Sequence, residues 1–304
     1  MRGVRVSVVV PVYNDPEGLE QTLQSLSDTC FEERFEVLIV DNNSTDSTDE
    51  VINDYNNRRE NFISLEETET QSSYAARNKG IKNAQGDIIC FIDADMTVED
   101  DYIQKVSDYF EQNGTEYLGC KVELENGSDS LTGIYGEKTG FPVETYIQEK
   151  NFAPTCCLSV RSEIFEDIGL FNKNLVSGGD KEFGVRAAKN GYNLEYTDRI
   201  ALYHPTRNTP YALAKKYFRI GRGWYQKQIE HPGEFPNDRR PWYNFTYLLP
   251  WKPRYRKDKI EGWDKITLTE KMSFYFHEWI KNISMYTGYQ YERFYERQHI
   301  ISQV

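Results

Sequence analysis

The chain opens with short unbroken apolar runs separated by stretches in which apolar residues recur every three or four positions. Val6–Val12 is a β-branched run closed by Pro11 and Asn14, and Leu19, Leu23 and Leu26 follow at helical spacing behind Asp15-Pro16, an N-cap with proline in the first turn. Residues 35–40 repeat the buried-strand pattern, and Asn43-Ser-Thr-Asp-Ser-Thr48 opens a helix through Val51, Ile52 and Tyr55. A strand near 62–65, a helix over 74–83 and a strand over 87–92 complete the series, and that last strand stops at Asp93-Ala94-Asp95. Buried strands alternating with amphipathic helices predict βα units on a mostly parallel sheet.

After Asp95 the rhythm loosens. The pattern predicts a helix over 100–112, a strand over 117–122, and a Gly- and Ser-containing loop over 125–140, expected to act as a mobile lid. Beyond it come a strand over 155–160, a short helix over 162–168, a helix over 180–190 ended by Gly191, and a strand over 194–197. A long amphipathic helix starts at Thr209-Pro210 with Leu213, Tyr217, Ile220 and Trp224 on one face. A Pro- and Trp-rich loop over 232–263 leads to a last helix. The capping box Thr267-x-x-Glu270 opens that helix, and Leu268, Met272, Tyr275, Trp279, Ile283 and Tyr286 share one side. The expected division is an α/β domain over 1–207, with halves 1–98 and 99–207, and a helical region over 208–304.

Composition sharpens that division. With 304 residues, 28% charged and 14% aromatic, the chain is long enough for a sizeable core without staples. A mean hydropathy of −0.71 and no apolar run near the length of a membrane span argue against a spanning helix. The Met1-Arg-Gly-Val-Arg start leads straight into a strand without a signal-like segment, which predicts a cytoplasmic protein. Five cysteines without C-x-x-C pairing read as reduced thiols. The net charge is −12, yet residues 203–304 carry 18 Lys+Arg against 10 Asp+Glu while the preceding part carries 18 against 38. The same C-terminal third holds 23 of the 43 aromatics, including Trp224, Trp242, Trp251, Trp263 and Trp279. Cations interleaved with Trp and Tyr suit an anionic membrane surface, stacking on a nucleic acid, or an ordinary aromatic core. The acidity of the larger part argues against broad nucleic-acid affinity, so no nucleic acid is expected as partner.

Ligands of open parallel sheets bind beyond the carboxyl ends of the strands. There lie Pro11-Val-Tyr-Asn14, Asp41-Asn-Asn-Ser-Thr-Asp46 and Asp93-Ala-Asp95. Two carboxylates one residue apart after a buried strand offer hard oxygens to Mg²⁺ or Mn²⁺, with a diphosphate supplying further oxygens. Arg77 and Lys79 lie upstream to balance phosphate charge. Neither G-x-G-x-x-G nor a Walker A sequence occurs, which weakens NAD enzymes and P-loop NTPases.

Val8-Val-Val-Pro-Val-Tyr-Asn14, Leu38-Ile-Val-Asp-Asn-Asn-Ser-Thr-Asp-Ser-Thr48, Ala75-Ala-Arg-Asn-Lys-Gly-Ile81 and Phe91-Ile-Asp-Ala-Asp95 resemble the consecutive motifs of family 2 glycosyltransferases with the GT-A fold. Gly178-Gly-Asp-Lys-Glu-Phe183, Lys189-Asn-Gly-Tyr192 and His204 are similar to that family's acceptor-side half. The resemblance implies an α/β GT-A domain, Rossmann-like with helices flanking a mostly parallel sheet, followed by a helical, aromatic-rich C-terminal extension. It implies that Pro11, Tyr13 and Asn14 line the base and ribose, that Asp41 bonds the base, and that Arg77 sits by the diphosphate or base. Asp93 would bond the ribose or sugar, Asp95 would hold the metal, and Asp180 would be the catalytic base. Asp180 would equally serve as a helix N-cap. The family usually places Glu before that Asp. Here Gly179 stands there, leaving Glu182 as the candidate replacement. His204, after a strand, is a candidate second ligand, better suited to Mn²⁺ than to Mg²⁺.

The implied activity is inverting, metal-dependent transfer of a sugar from a nucleotide-diphosphate sugar, UDP-linked, to a glycan or lipid-linked acceptor. A nucleotidyltransferase is the alternative enzyme, though Pro11-Val-Tyr-Asn14 supplies no Gly- and Lys/Arg-rich triphosphate loop. A nucleic-acid-binding protein is the alternative outside enzymes. The helix over 209–228 and the following loop, with Arg239, Arg240, Lys252, Arg254, Arg256, Lys257 and Lys259 among Trp242, Tyr247 and Trp251, predict peripheral attachment to the inner face of the cell membrane. Arg219 and Arg222 are expected near an acceptor phosphate.

Overall fold

The structure, a computed structural model, describes residues 5–31, 34–241, 244–249 and 263–302. Trp242, Trp251, Lys252, Arg254, Arg256, Lys257, Lys259 and the Tyr247 side chain, all assigned above to the basic aromatic loop, lie outside the described residues. The described elements run β1 (Val6–Val12), α1 (Pro16–Ser27), β2 (Phe35–Asp41), α2 (Thr48–Arg58), β3 (Phe62–Glu66), α3 (Ser73–Asn83), β4 (Ile88–Phe91), β5 (Thr97–Val98), α4 (Tyr102–Asn113) and β6 (Tyr117–Glu125). They continue through α5 (Leu131–Thr139), α6 (Val143–Lys150), β7 (Leu158–Arg161), α7 (Glu163–Ile168), α8 (Gly179–Lys189), β8 (Leu194–Pro205), α9 (Pro210–Glu230) and α10 (Leu268–Ser302).

The chain divides into two compact units, which are not the two linear segments 1–207 and 208–304. The first comprises Met1–Glu123, Phe141–Asn174 and Gly179–His204; the second comprises Leu124–Gly140, Leu175–Gly178 and Pro205–Val304. The first unit is built on one sheet of strand order β3-β2-β1-β4-β7-β6-β8-β5. β1 to β4 pair in parallel, with Val9 opposite Leu38 on one side and Phe91 on the other, while β7 joins β4 and β6 antiparallel. Val8, Val9 and Val10 are fully buried, as continuous apolar runs must be when helices cover both faces. Asp15 caps α1 by accepting from the Gly18 N–H at 3.0 Å, and Leu19, Leu23 and Leu26 enter the core.

Three elements of this unit differ from the expected pattern. Thr155–Cys157 is a buried 3₁₀ turn, so the strand starts only at Leu158. β8 runs to Pro205 instead of ending at Thr197, because the two-residue β5 pairs antiparallel with Leu202 and Tyr203. α6 carries no apolar period that its sequence would announce, since only Val143 and Ile147 of its eight residues are buried.

The second unit is a helical assembly of α5, α9 and α10. The expected lid over 125–140 is in large part the ordered helix α5. Ser130 caps it by accepting from the Gly133 N–H at 2.9 Å, and Gly140 ends it at a φ of 63°. Its buried residues are Thr132, Gly133 and Tyr135, a polar and small set without an apolar period. Tyr135, Leu213 and Phe274 form a core cluster with Tyr217, Trp263, Ile266 and Ile280 around it. On α10 the expected apolar side is buried only in part: Leu268 is 74% and Met272 65% exposed, Tyr275, Trp279 and Ile283 are half-buried and Tyr286 is buried, while Phe274, His277, Glu278, Met285 and Tyr289 are buried beside it. Glycine-mediated fit turns the helix. A side chain at Gly221 would strike the Met285 carbonyl, and one at Gly288 would strike the Phe218 carbonyl, so α9 and α10 approach at two reciprocal points. Correspondingly, the buried line of α9 runs from Leu213 through Gly221, Gly223 and Lys227. Among the described residues no helix is long and apolar enough to cross a membrane.

Candidate active site

The carboxyl ends of β1 and β2 are tied into one ledge. In the parallel register Val12 stands opposite Asp41. Past β1, Tyr13 is half exposed and Asn14 takes a left-handed backbone at φ 51°, a conformation Asn tolerates better than most residues. That twist lets the Asn14 N–H donate to Ser44 Oγ at 2.9 Å and its Oδ1 accept from the Thr45 N–H at 2.7 Å. Asp41 accepts from the Ser44 N–H at 3.1 Å, and Asn42 donates to the Glu67 and Thr70 carbonyls, each at 3.0 Å. Pro11, Tyr13, Asn14 and Asp41 therefore lie at one sheet edge. Ser44 and Thr45 carry the links, and only their Ser/Thr/Asn/Asp-rich sequence hinted at it.

Arg77 comes to the next strand end from α3. It is buried; Nη2 donates to Asp93 Oδ1, Nη1 donates to the Ser73 carbonyl at 3.3 Å, and the guanidinium lies 5.8 Å from the Tyr74 ring centroid. Its Nε is buried without a hydrogen-bond partner. The Arg77 charge is thus matched by Asp93 and orients that carboxylate, rather than standing ready for phosphate alone. The neighbouring Asn78 makes a two-way bond with the Phe171 backbone, donating to its carbonyl at 2.8 Å and accepting from its N–H at 3.1 Å.

Asp95 and His204 meet because of β5. With Thr97 paired to Tyr203, the residue after Tyr203 returns beside Asp95, and His204 Nε2 lies 3.7 Å from Asp95 Oδ1. Phe141 stacks on the imidazole, centroids 6.5 Å apart and planes 27° from parallel. His204 is buried, whereas the Asp95 side chain is 37% exposed. The separation is too long for a hydrogen bond and short enough for one cation to take both donors, an oxygen and a nitrogen. Among the described residues no group of three or more His, Cys, Asp and Glu side chains could hold a metal ion, so these two would need oxygens from substrate or water.

Asp180 lies inside the first turn of α8, not at its cap, where a carboxylate is favoured by the helix dipole. Its Oδ1 accepts from the Lys181 N–H at 2.8 Å. Gly179 packs on the Tyr74 ring so closely that a Cβ would come within 2.9 Å of it. Tyr74 therefore touches both the Arg77 guanidinium and the start of the helix that carries Asp180. It also fills the place that the family's usual Glu side chain would need. Glu182 does not replace that acid. It is buried and holds Arg186 through Nε at 2.8 Å and Nη2 at 3.0 Å, and Arg186 in turn donates to the carbonyls of Ile168, Gly169 and Leu170.

Residues 7–169, which hold the strand-end acids and the buried Arg77, fit the model of glycosyl transferase family 2. The chain belongs to this family. Among its relatives is the glycosyltransferase AglE of Haloferax volcanii, 36% identical over 225 residues, with 73% of each chain covered. The poly(ribitol-phosphate) β-N-acetylglucosaminyltransferase TarS of Staphylococcus aureus is 25% identical over 219 residues, 70% of this chain but only 38% of that protein. The structure of residues 1–349 of S. aureus TarS with UDP-GlcNAc superposes with a TM-score of 0.57 at 20% identity, covering 95% of this chain and 92% of that one. The mannosyltransferase PcManGT of Pyrobaculum calidifontis, with GDP-Man and Mn²⁺, gives 0.61 at 16% identity, covering 96% and 87%. The fold of this family 2 enzyme is accordingly GT-A, and it acts on nucleotide sugars. The nucleotidyltransferase alternative falls away.

Proposed function

We propose that this glycosyltransferase is inverting and metal-dependent, and moves a sugar from a UDP-linked donor to a hydroxyl of a glycan or lipid-linked acceptor. The approach of His204 to Asp95, from segments far apart in sequence, carries the reading, because it sets two donors of the right chemistry beside the strand-end Asp93. Asp95 and His204 would hold Mn²⁺ or Mg²⁺, the imidazole favouring Mn²⁺. When bound, the cation supplies charge stabilisation to the departing diphosphate. Pro11, Tyr13, Asn14 and Asp41 line the nucleoside. Asp93, steadied by Arg77, bonds the ribose or the donor sugar. Asp180 takes the proton from the acceptor hydroxyl as its oxygen attacks the anomeric carbon on the face opposite the diphosphate. The two structural neighbours, one bound to UDP-GlcNAc and one to GDP-Man, support a nucleotide-sugar pocket here.

The acceptor reading rests on the basic C-terminal third. Arg219 is exposed on α9, which suits an anionic acceptor or lipid headgroup. Arg222 does not serve this role, since Glu292 bonds its Nε at 2.5 Å and Tyr291 lies 5.4 Å below it. A cytoplasmic enzyme held peripherally at the membrane would meet a lipid-linked acceptor directly.

Thermal stabilisation by UDP-GlcNAc, UDP-glucose and GDP-mannose, each with Mn²⁺ and with EDTA, tests the donor. A UDP-sugar that raises Tm only with metal, and that releases UDP on incubation, is the expected result. Stabilisation by GDP-mannose alone would overturn the UDP assignment, and metal-independent turnover would overturn the metal.

A further inference from the structure

The first unit carries a second concavity, near the opposite end of β8 from His204. Its volume is about 430 Å³, and it is lined from the end of α4 (Tyr109, Asn113), the start of α6 (Glu144) and the first half of β8 (residues 196–199). At about 3.3 Å per residue along a strand, residues 196–199 stand roughly 20 Å from His204, the residue that approaches Asp95. The cavity is therefore separate from the strand-end site, yet within reach of an extended oligosaccharide that starts there.

β8 presents unusual side chains to this cavity because its inside-outside alternation fails. Thr197 and Ile200 are buried, whereas the successive residues Asp198 and Arg199 are both exposed. The Arg199 N–H turns back onto Thr197 Oγ1 at 3.3 Å. Two unlike charges thus stand side by side, where a regular strand would turn one of them to the other face. Neither the Asp198 carboxylate nor the Arg199 guanidinium holds a hydrogen bond or ion pair with another described residue. The Lys121 ammonium, paired chiefly with Glu123, also feels Asp198. Two half-buried tyrosines belong to the lining, and the Tyr109 hydroxyl donates to Glu195 at 3.4 Å. Burial first, and then the Glu144 and Asp198 carboxylates, push the Tyr196 hydroxyl above its ordinary pKa, so both acids stand close to that ring.

Small-ligand pockets measure about 300–1,000 Å³ and are mostly apolar. This one has the size but a polar lining, which disfavours an apolar ligand. Glu144 and Asp198 outweigh Arg199 by one charge, which disfavours a phosphate. The carboxylates only accept hydrogen bonds, the guanidinium only donates, and the Thr197 and Tyr196 hydroxyls and the Asn113 amide do both. A ligand that satisfies such a set carries many hydroxyls, each able to donate and accept. The tyrosine rings add flat apolar surface beside polar tips, which suits the C–H face of a sugar ring.

We propose that this cavity is a sugar-binding subsite, which holds a neutral hexose unit of a glycan away from the point of transfer. Asp198 accepts from one hydroxyl and Arg199 donates to its neighbour, with a tyrosine ring against the sugar. The proposal rests on the reading of the acceptor as a glycan. It makes the enzyme a reader of more than the acceptor's terminal unit.

Saturation-transfer difference NMR on the full chain tests the subsite, with glucose, galactose, mannose, N-acetylglucosamine and maltotriose as probes. The parent is compared with Asp198→Ala, Arg199→Ala and Tyr196→Phe. The first two replace exposed side chains and should melt with the parent. Saturation transfer to at least one probe is expected, with affinity weakened roughly tenfold or more in Asp198→Ala and in Arg199→Ala, since each removes a hydrogen bond to a charged group. Tyr196→Phe should weaken it less, and nucleotide release from the donor should be unchanged in all three. Silence with every probe would overturn the proposal, and so would equal signals in the parent and the variants. Stabilisation by inorganic phosphate that depends on Arg199, without any sugar signal, would make the cavity an anion site instead. The acceptor reading fails separately: a parent that transfers to no glycan, yet shows saturation transfer dependent on Asp198, keeps the subsite and loses that reading.

Discussion

Asp95 and Asp180 differ in what surrounds them, and the consequences of removing each differ accordingly. Asp95 is a partly exposed carboxylate past a strand end, so Asp95→Ala should change stability by no more than about 0.5 kcal/mol. Mn²⁺-dependent stabilisation by nucleotide sugar should vanish in calorimetry, and its persistence would remove Asp95 from the metal site. Asp180→Asn keeps the size of the side chain but cannot take a proton. Turnover should fall by about 10²–10⁴-fold with donor affinity nearly kept, and activity within a few-fold of the parent would require another base. At this scale the sequence was legible where chemistry follows a strand end: Asp41, Asp93 and Asp95 stand where periodicity places them. The partners were not legible. That Arg77 is spent on Asp93 and Glu182 on Arg186 depends on burial and on which way each side chain points.

Elements with an apolar period formed as their periodicity dictates, and those chosen by fit did not announce themselves. α1 shows the first case, with a cap, a proline and three leucines all agreeing. β5 shows the second: two residues long, it carries no period, yet its pairing with β8 brings His204 to Asp95. α9 and α10 lie between, since both helices are evident but their contact faces are set by glycines. Gly221→Ala should therefore drive the helices apart and cost about 1–3 kcal/mol in denaturant melts. Gly127→Ala is the control, because nothing lies within 4 Å of a Cβ there, and it should be nearly neutral. Equal effects at the two positions would mean that the Gly221 approach is slack.

At the scale of the whole molecule, the second unit holds a pH-sensitive core. His277 is buried between Thr132 Oγ1, 2.9 Å from Nε2, and the Ser273 carbonyl, 2.7 Å from Nδ1, and burial lowers its pKa below the ordinary histidine value. The unfolded chain then binds the proton more readily than the folded one. This contribution to stability is complete above about pH 6.5 and declines as pH falls below it. Melting temperature should drop between about pH 6.5 and 5 in the parent and drop less in His277→Gln; parallel curves would show that His277 does not govern the acid limb. The charge division makes a second prediction. Flotation with anionic vesicles should carry the protein upward at low salt and fail with neutral vesicles or at high salt. Failure with both kinds would favour a soluble acceptor.

The sequence by itself determined the parallel half of the sheet, the strand-end acids and the division between an acidic and a basic aromatic part. Local period, turn chemistry and charge are written residue by residue and need no partner to be read. Tertiary structure alone decided that residues 131–139 form a helix, that α10 turns Leu268 and Met272 outward, and that Leu175–Gly178 packs with α9. In each of these the deciding quantity is the space left by another segment: a missing Cβ at Gly221 and Gly288, a buried hydroxyl at Thr132, a lysine laid against Gly178. Such space is set only when distant parts of the chain have met.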